Sequence, residues 1–196
     1  MDAREYYLAL YDHTHFVRHG KAQLVLDDPS PAQYRTVVPN HNSIAWIVWH
    51  IARGEDWTIQ TILQGREQLL TRAGWDRQMG VTEPGFGGGM ERAEMIALSE
   101  QIDLDALRGY YRAVTEATLA YMRTFDFDML DAPLDVQSRL ALAPDAQGPS
   151  PILREGFLGW TTPRVWIDVM TVVDVAHHFE EAEHVLRLLS PETQYP

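Results

Sequence analysis

The sequence predicts an all-α protein, a four-helix bundle in which long connections join the second helix to the third and the third to the fourth. Four segments of the 196-residue chain repeat apolar side chains at spacings of three and four residues, as amphipathic helices do. Residues that cap or break helices stand at the ends of these segments. The length suits one domain over residues 1–196, or at most two small ones.

The first two predicted helices have clear ends. The first covers about residues 3–26 and stops before Pro29, because proline cannot continue a helix. The second covers residues 44–63, after an N-cap at Asn42 or Ser43 and before a stop at Gly65. Its opening stretch is almost wholly apolar, which indicates burial on nearly every side.

The third and fourth predicted helices are separated from the second by irregular chain. The connection over residues 66–98 contains a glycine-rich loop at 85–89, predicted to be mobile, and a short helix at 91–98. The third helix covers residues 103–125.

The connection over residues 126–162 is rich in proline, and residues 136–142 are expected to form a short strand or a turn. The fourth helix begins near Thr162 and Pro163 and ends before Ser190.

Composition excludes several classes of function. Twenty-eight acidic residues against sixteen basic ones give a net charge of -12, which opposes binding to nucleic acid or to anionic lipid. The chain contains no cysteine, so disulfides, thiolate metal sites and cysteine nucleophiles are excluded. No apolar run has the length of a membrane span, and the first residues do not resemble a signal peptide. We therefore expect a cytoplasmic protein that acts away from membranes and nucleic acids.

The fourth helix carries ionisable side chains in the middle of a predicted apolar stripe. Buried polar groups need partners, and a bound metal is one explanation for them. Imidazole and carboxylate ligands suit zinc, nickel or iron(II). The alternative is a helix rotated so that these groups face solvent, and a shift of one residue would turn His178 inward instead. The stripe consists of Met170, Val173, His177, Glu181, His184 and Leu188.

Histidines elsewhere are further candidates. His50 lies inside the apolar second helix, where it either bonds to a backbone carbonyl as a core residue or supplies a third metal ligand. His15 and His19 have the i, i+4 spacing that can hold a metal, but a solvated helix face is the favoured explanation for them. His13 lies on the predicted apolar face of the first helix and is the better candidate for lining a pocket.

Residues 42–57 read Asn-Ser-Ile-Ala-Trp-Ile-Val-Trp-His-Ile-Ala-Arg-Gly-Glu-Asp-Trp and resemble the helix-2 signature of the DinB-like (damage-inducible) superfamily. Weaker similarity extends over nearly the whole chain. The resemblance implies an up-down-down-up four-helix bundle, often a homodimer. It also implies a divalent metal, commonly zinc or nickel, held by one histidine of helix 2 and an H-x-x-x-H pair of helix 4.

His50 matches the first of these ligands, but the last helix departs from the pattern. His177 is followed four residues later by Glu181, and His178 is followed by Ala182. The predicted ligands are therefore His50, His177 and Glu181, or a set that uses His184 instead. Loss of the metal is the remaining alternative.

Characterised members of the family that the chain resembles include transferases and isomerases that use small thiols such as mycothiol or bacillithiol. The resemblance therefore implies a small-molecule substrate and a low-molecular-weight thiol whose pKa the metal lowers. Arg53, one turn beyond His50, either holds a carboxylate of the thiol or substrate, or pairs with an acidic neighbour on its own helix.

Three hypotheses about function follow. The first is a metal-dependent thiol S-transferase or isomerase. The second is a non-catalytic bundle with a degenerate metal or small-ligand site. A di-iron oxidase is disfavoured, because Glu181-x-x-His184 is a single copy of a motif that such a centre needs twice.

Overall fold

The structure, a computed structural model, describes residues 1–15, 23–148 and 150–190, and every regular element in these ranges is helical. The predicted all-α class is confirmed. Helices α1 to α11 are Ala3–His15, Pro31–Arg35, Ile44–Asp56, Leu69–Arg72, Trp75–Met79, Arg92–Gln101, Leu104–Thr124, Val136–Leu140, Pro151–Leu158, Pro163–Ile167 and Asp174–Leu189. Segments of π-helix cover Gln23–Asp27, Trp57–Leu63 and Asp168–Val173, and 3₁₀ turns cover Phe127–Met129 and Pro144–Gln147.

The second predicted helix is observed as α3 and the π-helical segment that continues it. The Ser43 hydroxyl caps α3 by accepting a hydrogen bond from the Trp46 N–H at 3.0 Å. Gly65 follows the helix with φ of 66°, the left-handed conformation that glycine adopts without a steric penalty. Every residue of α3 is buried. The helix is therefore the core element on which the others pack.

The buried face of α1 lies one position away from the predicted one. His13, expected on the inner face, is exposed, whereas Tyr7, Tyr11 and His15 are buried. That prediction was wrong, because aromatic and imidazole rings with polar tips are buried readily when a partner is available. The Tyr11 hydroxyl donates to the carboxylate of Glu55.

The first predicted helix is described in two parts. α1 covers its first half, and the π-helical segment Gln23–Asp27 covers its end. Residues 16–22 between them lie outside the described residues, and so does the predicted candidate His19 within that gap.

Capping side chains set the ends of two later elements. The Asp103 carboxylate accepts from the N–H groups of Asp105 and Ala106 at 3.0 and 2.8 Å and starts α7, the third predicted helix. Residues 136–142 do not form the strand that was one of two expectations. Asp135 accepts from the N–H of Ser138 at 3.2 Å, and this cap favours the helix α8.

The C-terminal helix runs without a break through α10, a π-helical segment and α11. At the end of that segment the N–H of Asp174 donates to the carbonyl of Val169, five residues earlier rather than four. The extra residue in the turn shifts all later inward-facing positions by one. Val173 and Leu188, predicted as core residues, are therefore 60% and 46% exposed, and that prediction was wrong. The buried residues of α11 are Val175, Phe179, Ala182 and Val185.

The long helices contact one another around α3. α3 packs against both α7 and α11, and α1 also packs against α7 and α11. At Gly54 the C-terminal helix approaches α3 closely, since a Cβ there would lie 3.0 Å from Cε of Met170. The up-down-down-up order and the single domain over residues 1–196 stay predictions. In the described part of the chain, each helix is too short or too polar to span a membrane.

Replacing Ser43 with alanine should lower the free energy of unfolding by about 1–2 kcal/mol. The change removes the α3 cap and a buried hydrogen bond of 2.6 Å between the hydroxyls of Ser43 and Ser99. Urea denaturation followed by circular dichroism measures the loss. Ser30→Ala, which removes the cap of the short, more exposed α2, is the matched control. Equal losses in the two variants would contradict the central role of α3.

Candidate metal centre

His50 lies on α3, with one ring nitrogen hydrogen-bonded to a backbone carbonyl and the other facing the C-terminal helix. Its Nδ1 is 2.5 Å from the carbonyl oxygen of Phe86. A carbonyl only accepts, so Nδ1 carries the hydrogen, and Nε2 keeps its lone pair when the ring is neutral. The ring stacks on Trp46 with 4.6 Å between centroids, which restrains its plane. Nε2 lies 3.4 Å from Oδ2 of Asp174.

His178 on α11 is oriented in the same way, by a carboxylate. Its Nδ1 donates to Oε2 of Glu181 at 2.9 Å, and its Nε2 lies 3.7 Å from Oδ1 of Asp174. Oε1 of Glu181 accepts from the backbone N–H and the side-chain amide of Asn42 at 3.2 and 3.0 Å. The rings of His178 and His50 are 4.5 Å apart. Both histidines therefore direct Nε2 towards Asp174.

His50, Asp174 and His178 together form a His–Asp–His cluster. Their ligand atoms all lie within 4.8 Å of one another, and they are the one such group among the described residues. Two imidazole nitrogens and a carboxylate that face each other are stabilised by a positive charge between them, which a proton on one histidine or a bound metal ion supplies. Zinc holds such ligands at about 2.0–2.2 Å, which places them about 3–3.5 Å apart. The observed 3.4 and 3.7 Å are close to this, so the donor set fits a divalent metal.

Burial and charge both favour a cation at the cluster. The side chain of Asp174 is 27% exposed, against 7% for His50 and 13% for His178, so solvent reaches the cluster beside the carboxylate. Burial raises the pKa of the Asp174 carboxyl, but electrostatic interactions with His50, His178 and His177 outweigh it and lower the pKa overall. The pKa of Glu181 is also lowered, because hydrogen bonds from His178 and Asn42 outweigh its burial. Both carboxyl groups are therefore ionised at neutral pH.

The structure brings together a different set of side chains from the one predicted. His50 lies in the cluster as expected, and Glu181 lies behind it, bonded to His178. His177 and His184 are exposed and lie outside the cluster. The π-helical turn accounts for this arrangement, because it shifts the inward-facing positions of α11 by one residue.

Asp174 is the ligand candidate that the sequence analysis missed. Asp174 and His178 have the i, i+4 spacing of two ligands on one helix face, as an H-x-x-x-H pair does. The carboxylate four residues before a histidine was therefore a usable signal. The sequence contains no signal for the rotational phase of the helix, since apolar periodicity does not reveal the π-helical turn.

Arg53, predicted to hold a ligand carboxylate or to pair with an acid on its own helix, is 1% exposed. Its guanidinium donates to the carbonyls of Pro84 and Gly85 at 2.6 and 3.2 Å, and to Oε1 of Gln68 at 2.6 Å. These bonds attach the loop that carries Phe86 to α3. A direct role of Arg53 in binding a ligand stays a prediction.

The glycine-rich loop at 85–89, predicted to be mobile, packs directly against the side chains around the cluster. Gly87 has φ of 94°, and a Cβ there would lie 2.7 Å from the ring of Trp46. Glycine is therefore needed for the loop to reach the tryptophan that stacks on His50. The indole N–H of Trp46 also donates to Sδ of Met90 at 3.2 Å. The loop thus covers the inner side of the candidate centre.

A second group of ionisable side chains lies in the core beside the C-terminal helix. His15 Nε2 is 2.9 Å from the carbonyl oxygen of Thr171 and 3.3 Å from Oε2 of Glu55, and its Nδ1 is 3.0 Å from the Tyr111 hydroxyl. Burial lowers the pKa of His15 to about 4 and raises the pKa of Glu55 to about 7. Between these two values the histidine is neutral and the glutamic acid is protonated.

The fold and the cluster define an all-α protein with a candidate metal centre between two of its long helices. The family model of the DinB superfamily matches residues 17–185, and the chain belongs to that superfamily. A conserved protein from Enterococcus faecalis, known from a crystal structure, has the same fold. It is 18% identical, with a TM-score of 0.68 over 98% of this chain and 99% of that one. No curated protein matches the chain.

Replacing Glu55 with glutamine should make the stability of the protein depend on pH between about 4 and 6.5. In the folded wild-type protein, His15 and Glu55 together carry one proton across most of this range, and that proton is on Glu55. The unfolded pair, with ordinary pKa values of 4.5 and 6.5, also carries one proton, on His15. The two contributions therefore cancel. In the variant, His15 binds a proton in the unfolded state but not in the folded state. The free energy of unfolding should then rise as the pH is raised through this range, by up to about 1.4 kcal/mol per pH unit, and fall as the pH is lowered.

Urea denaturation of wild type and Glu55→Gln in parallel, from pH 4.5 to 7, measures this effect. Subtracting the two free energies of unfolding removes the contributions of the titratable groups that both proteins share. Glu100→Gln, at an exposed position on α6, is the matched control and should show no such slope. If the difference in free energy of unfolding between wild type and Glu55→Gln did not change with pH, the neutral state of His15 would be contradicted.

Proposed function

We propose that the protein binds a divalent metal at the His–Asp–His cluster and uses it for chemistry on a small molecule. One observation carries the proposal: both histidines commit their Nδ1 hydrogens elsewhere, to Phe86 and Glu181, and direct their Nε2 atoms at Asp174. Metal sites commonly use such outer hydrogen bonds to orient imidazole ligands and raise their basicity.

The ligand set suits a catalytic rather than a purely structural site. Three protein ligands leave at least one coordination position open. Two imidazoles and a carboxylate suit zinc, nickel and iron(II), and we propose zinc or nickel because the resemblance to DinB-like proteins implies them. When bound, such an ion lowers the pKa of a thiol or water that enters the open position.

The side chains around the cluster restrict how a ligand enters. Trp46 and Phe86 contact the ring of His50, so the inner side is closed. Asp174 is the most exposed member of the cluster and marks the open side. A small thiol that enters here meets the negative charge of the carboxylate at one edge and the two imidazoles at the other.

We propose that the reaction is transfer or isomerisation through a small thiol of the mycothiol or bacillithiol type. The chain has no cysteine, which fits a protein that takes its sulfur nucleophile from solution. In the transfer reaction the thiol gives its proton to solvent, and its sulfur forms a bond to an electrophilic carbon of the substrate. The bond to the leaving group breaks and its electron pair departs with that group.

Protein purified without an affinity tag and freed of metal should bind one zinc or nickel ion per chain in calorimetric titration. His50→Ala, Asp174→Ala and His178→Ala should each raise Kd by more than about a hundredfold, since a lost ligand matters more than a lost outer hydrogen bond. His177→Ala and His184→Ala, which remove the exposed histidines predicted as ligands, should leave Kd unchanged.

Two results would contradict this assignment. Tight binding by Asp174→Ala with weak binding by His184→Ala would support the ligand set predicted from the sequence. Wild-type protein that binds neither zinc nor nickel would exclude the metal centre and favour the non-catalytic bundle.

The metal-loaded protein should accelerate the reaction of mycothiol or bacillithiol with a chloronitrobenzene electrophile, measured by absorbance. Asp174→Ala should react at the uncatalysed rate. If the loaded wild type also stays at that rate with both thiols, the proposed thiol chemistry is wrong and metal binding alone remains. The homodimer implied by the resemblance stays a prediction, which light scattering on the same samples measures.

A further inference from the structure

His15 lies outside the His–Asp–His cluster but bonds to the helix that carries two of its members. Its ring is 1% exposed, and Nε2 is 2.9 Å from the carbonyl oxygen of Thr171. The carbonyl can only accept, so Nε2 carries the hydrogen and Nδ1 accepts from the Tyr111 hydroxyl at 3.0 Å. The ring also stacks on Tyr11 with 3.9 Å between centroids. α1 is thus bonded to both α7 and the C-terminal helix through one side chain.

Thr171 lies inside the π-helical segment that ends next to Asp174. The side-chain hydroxyl of Thr171 donates to the carbonyl of Ile167 at 2.7 Å, a bond that commonly bends helices. The N–H of Asp174 donates to Val169, five residues earlier. π-helical turns are rare, frequently lie at functional sites, and persist where surrounding contacts hold them.

The π-helical turn decides which side chains of the C-terminal helix face His50. Each residue of an α-helix advances the direction of its side chain by about 100°. If the turn relaxed to an α-helix, the later part of the helix would shift by one residue. Val173 and His177 would then occupy the places of Asp174 and His178, which is the arrangement that apolar periodicity predicts.

We propose that His15 is a positioning residue of the metal centre, because its bond to the Thr171 carbonyl holds the π-helical turn that directs Asp174 and His178 at His50. The inference rests on the proposed metal site. It assigns a role in the site to a core side chain that contacts none of the ligands directly. A purely structural His15 would stabilise the bundle without changing the geometry of the cluster.

Metal affinity, measured by zinc titration against a competing chelator, separates these two roles. His15→Phe keeps the ring and removes the hydrogen bond to Thr171, and it should raise Kd for zinc about tenfold. His15→Gln keeps an N–H donor of similar reach and should restore a Kd close to that of the wild type. Tyr111→Phe removes the hydrogen bond on the opposite ring nitrogen and serves as the matched control. It should lower Tm and leave Kd unchanged.

The visible spectrum of the cobalt(II)-loaded protein gives a second readout that needs no activity. Its bands should change in His15→Phe, because the ligand geometry changes, and should match wild type in Tyr111→Phe. If His15→Phe does not fold, His15→Asn replaces it, since its amide is too short to reach Thr171.

Three outcomes would overturn the inference. The first is a wild-type Kd and cobalt spectrum in His15→Phe. The second is an equal rise of Kd in His15→Phe and Tyr111→Phe, which would indicate general loosening of the core. The third is wild-type protein that binds none of zinc, nickel and cobalt. That result alone would also overturn the proposed function, whereas the first two leave it standing.

Discussion

The complete burial of α3 is the constraint on which the rest of the structure depends. Its apolar side chains form much of the main core, but the same helix carries His50, Arg53, Glu55 and Asp56. Polar groups without partners in such an environment would destabilise the fold by several kcal/mol. The other helices and loops are arranged so that each of these four side chains has a partner.

Three of these side chains have hydrogen-bond partners, whereas His50 also faces other candidate metal ligands. Arg53 bonds to carbonyls of the glycine-rich connection, and Asp56 accepts from the Tyr110 hydroxyl at 2.7 Å. Glu55 accepts from a tyrosine of α1. His50 alone among the four has one nitrogen bonded to backbone and the other facing a histidine and an aspartate. At this point the chain presents candidate metal ligands, and the proposed ion would complete the arrangement.

The sequence by itself determined the helical framework and one ligand. Ser43 was readable as a cap and Gly65 as a stop, because these signals act over a few residues of local backbone. The continuous apolar run of α3 indicated burial on all sides, and it made His50 stand out as a buried imidazole. These features depend on chemistry that a short stretch of chain contains, so no tertiary information was needed to recognise them.

The tertiary structure decided the phase of the helices and therefore the other members of the site. Apolar periodicity placed His13 and His177 on inner faces, whereas the structure buries His15 and directs Asp174 and His178 at the centre. An amphipathic stripe can shift by one residue when a π-helical turn is inserted, and the stability of that turn depends on contacts from another helix. His15 lies far from Thr171 in sequence, so periodicity within one segment contains no information about the bond between them.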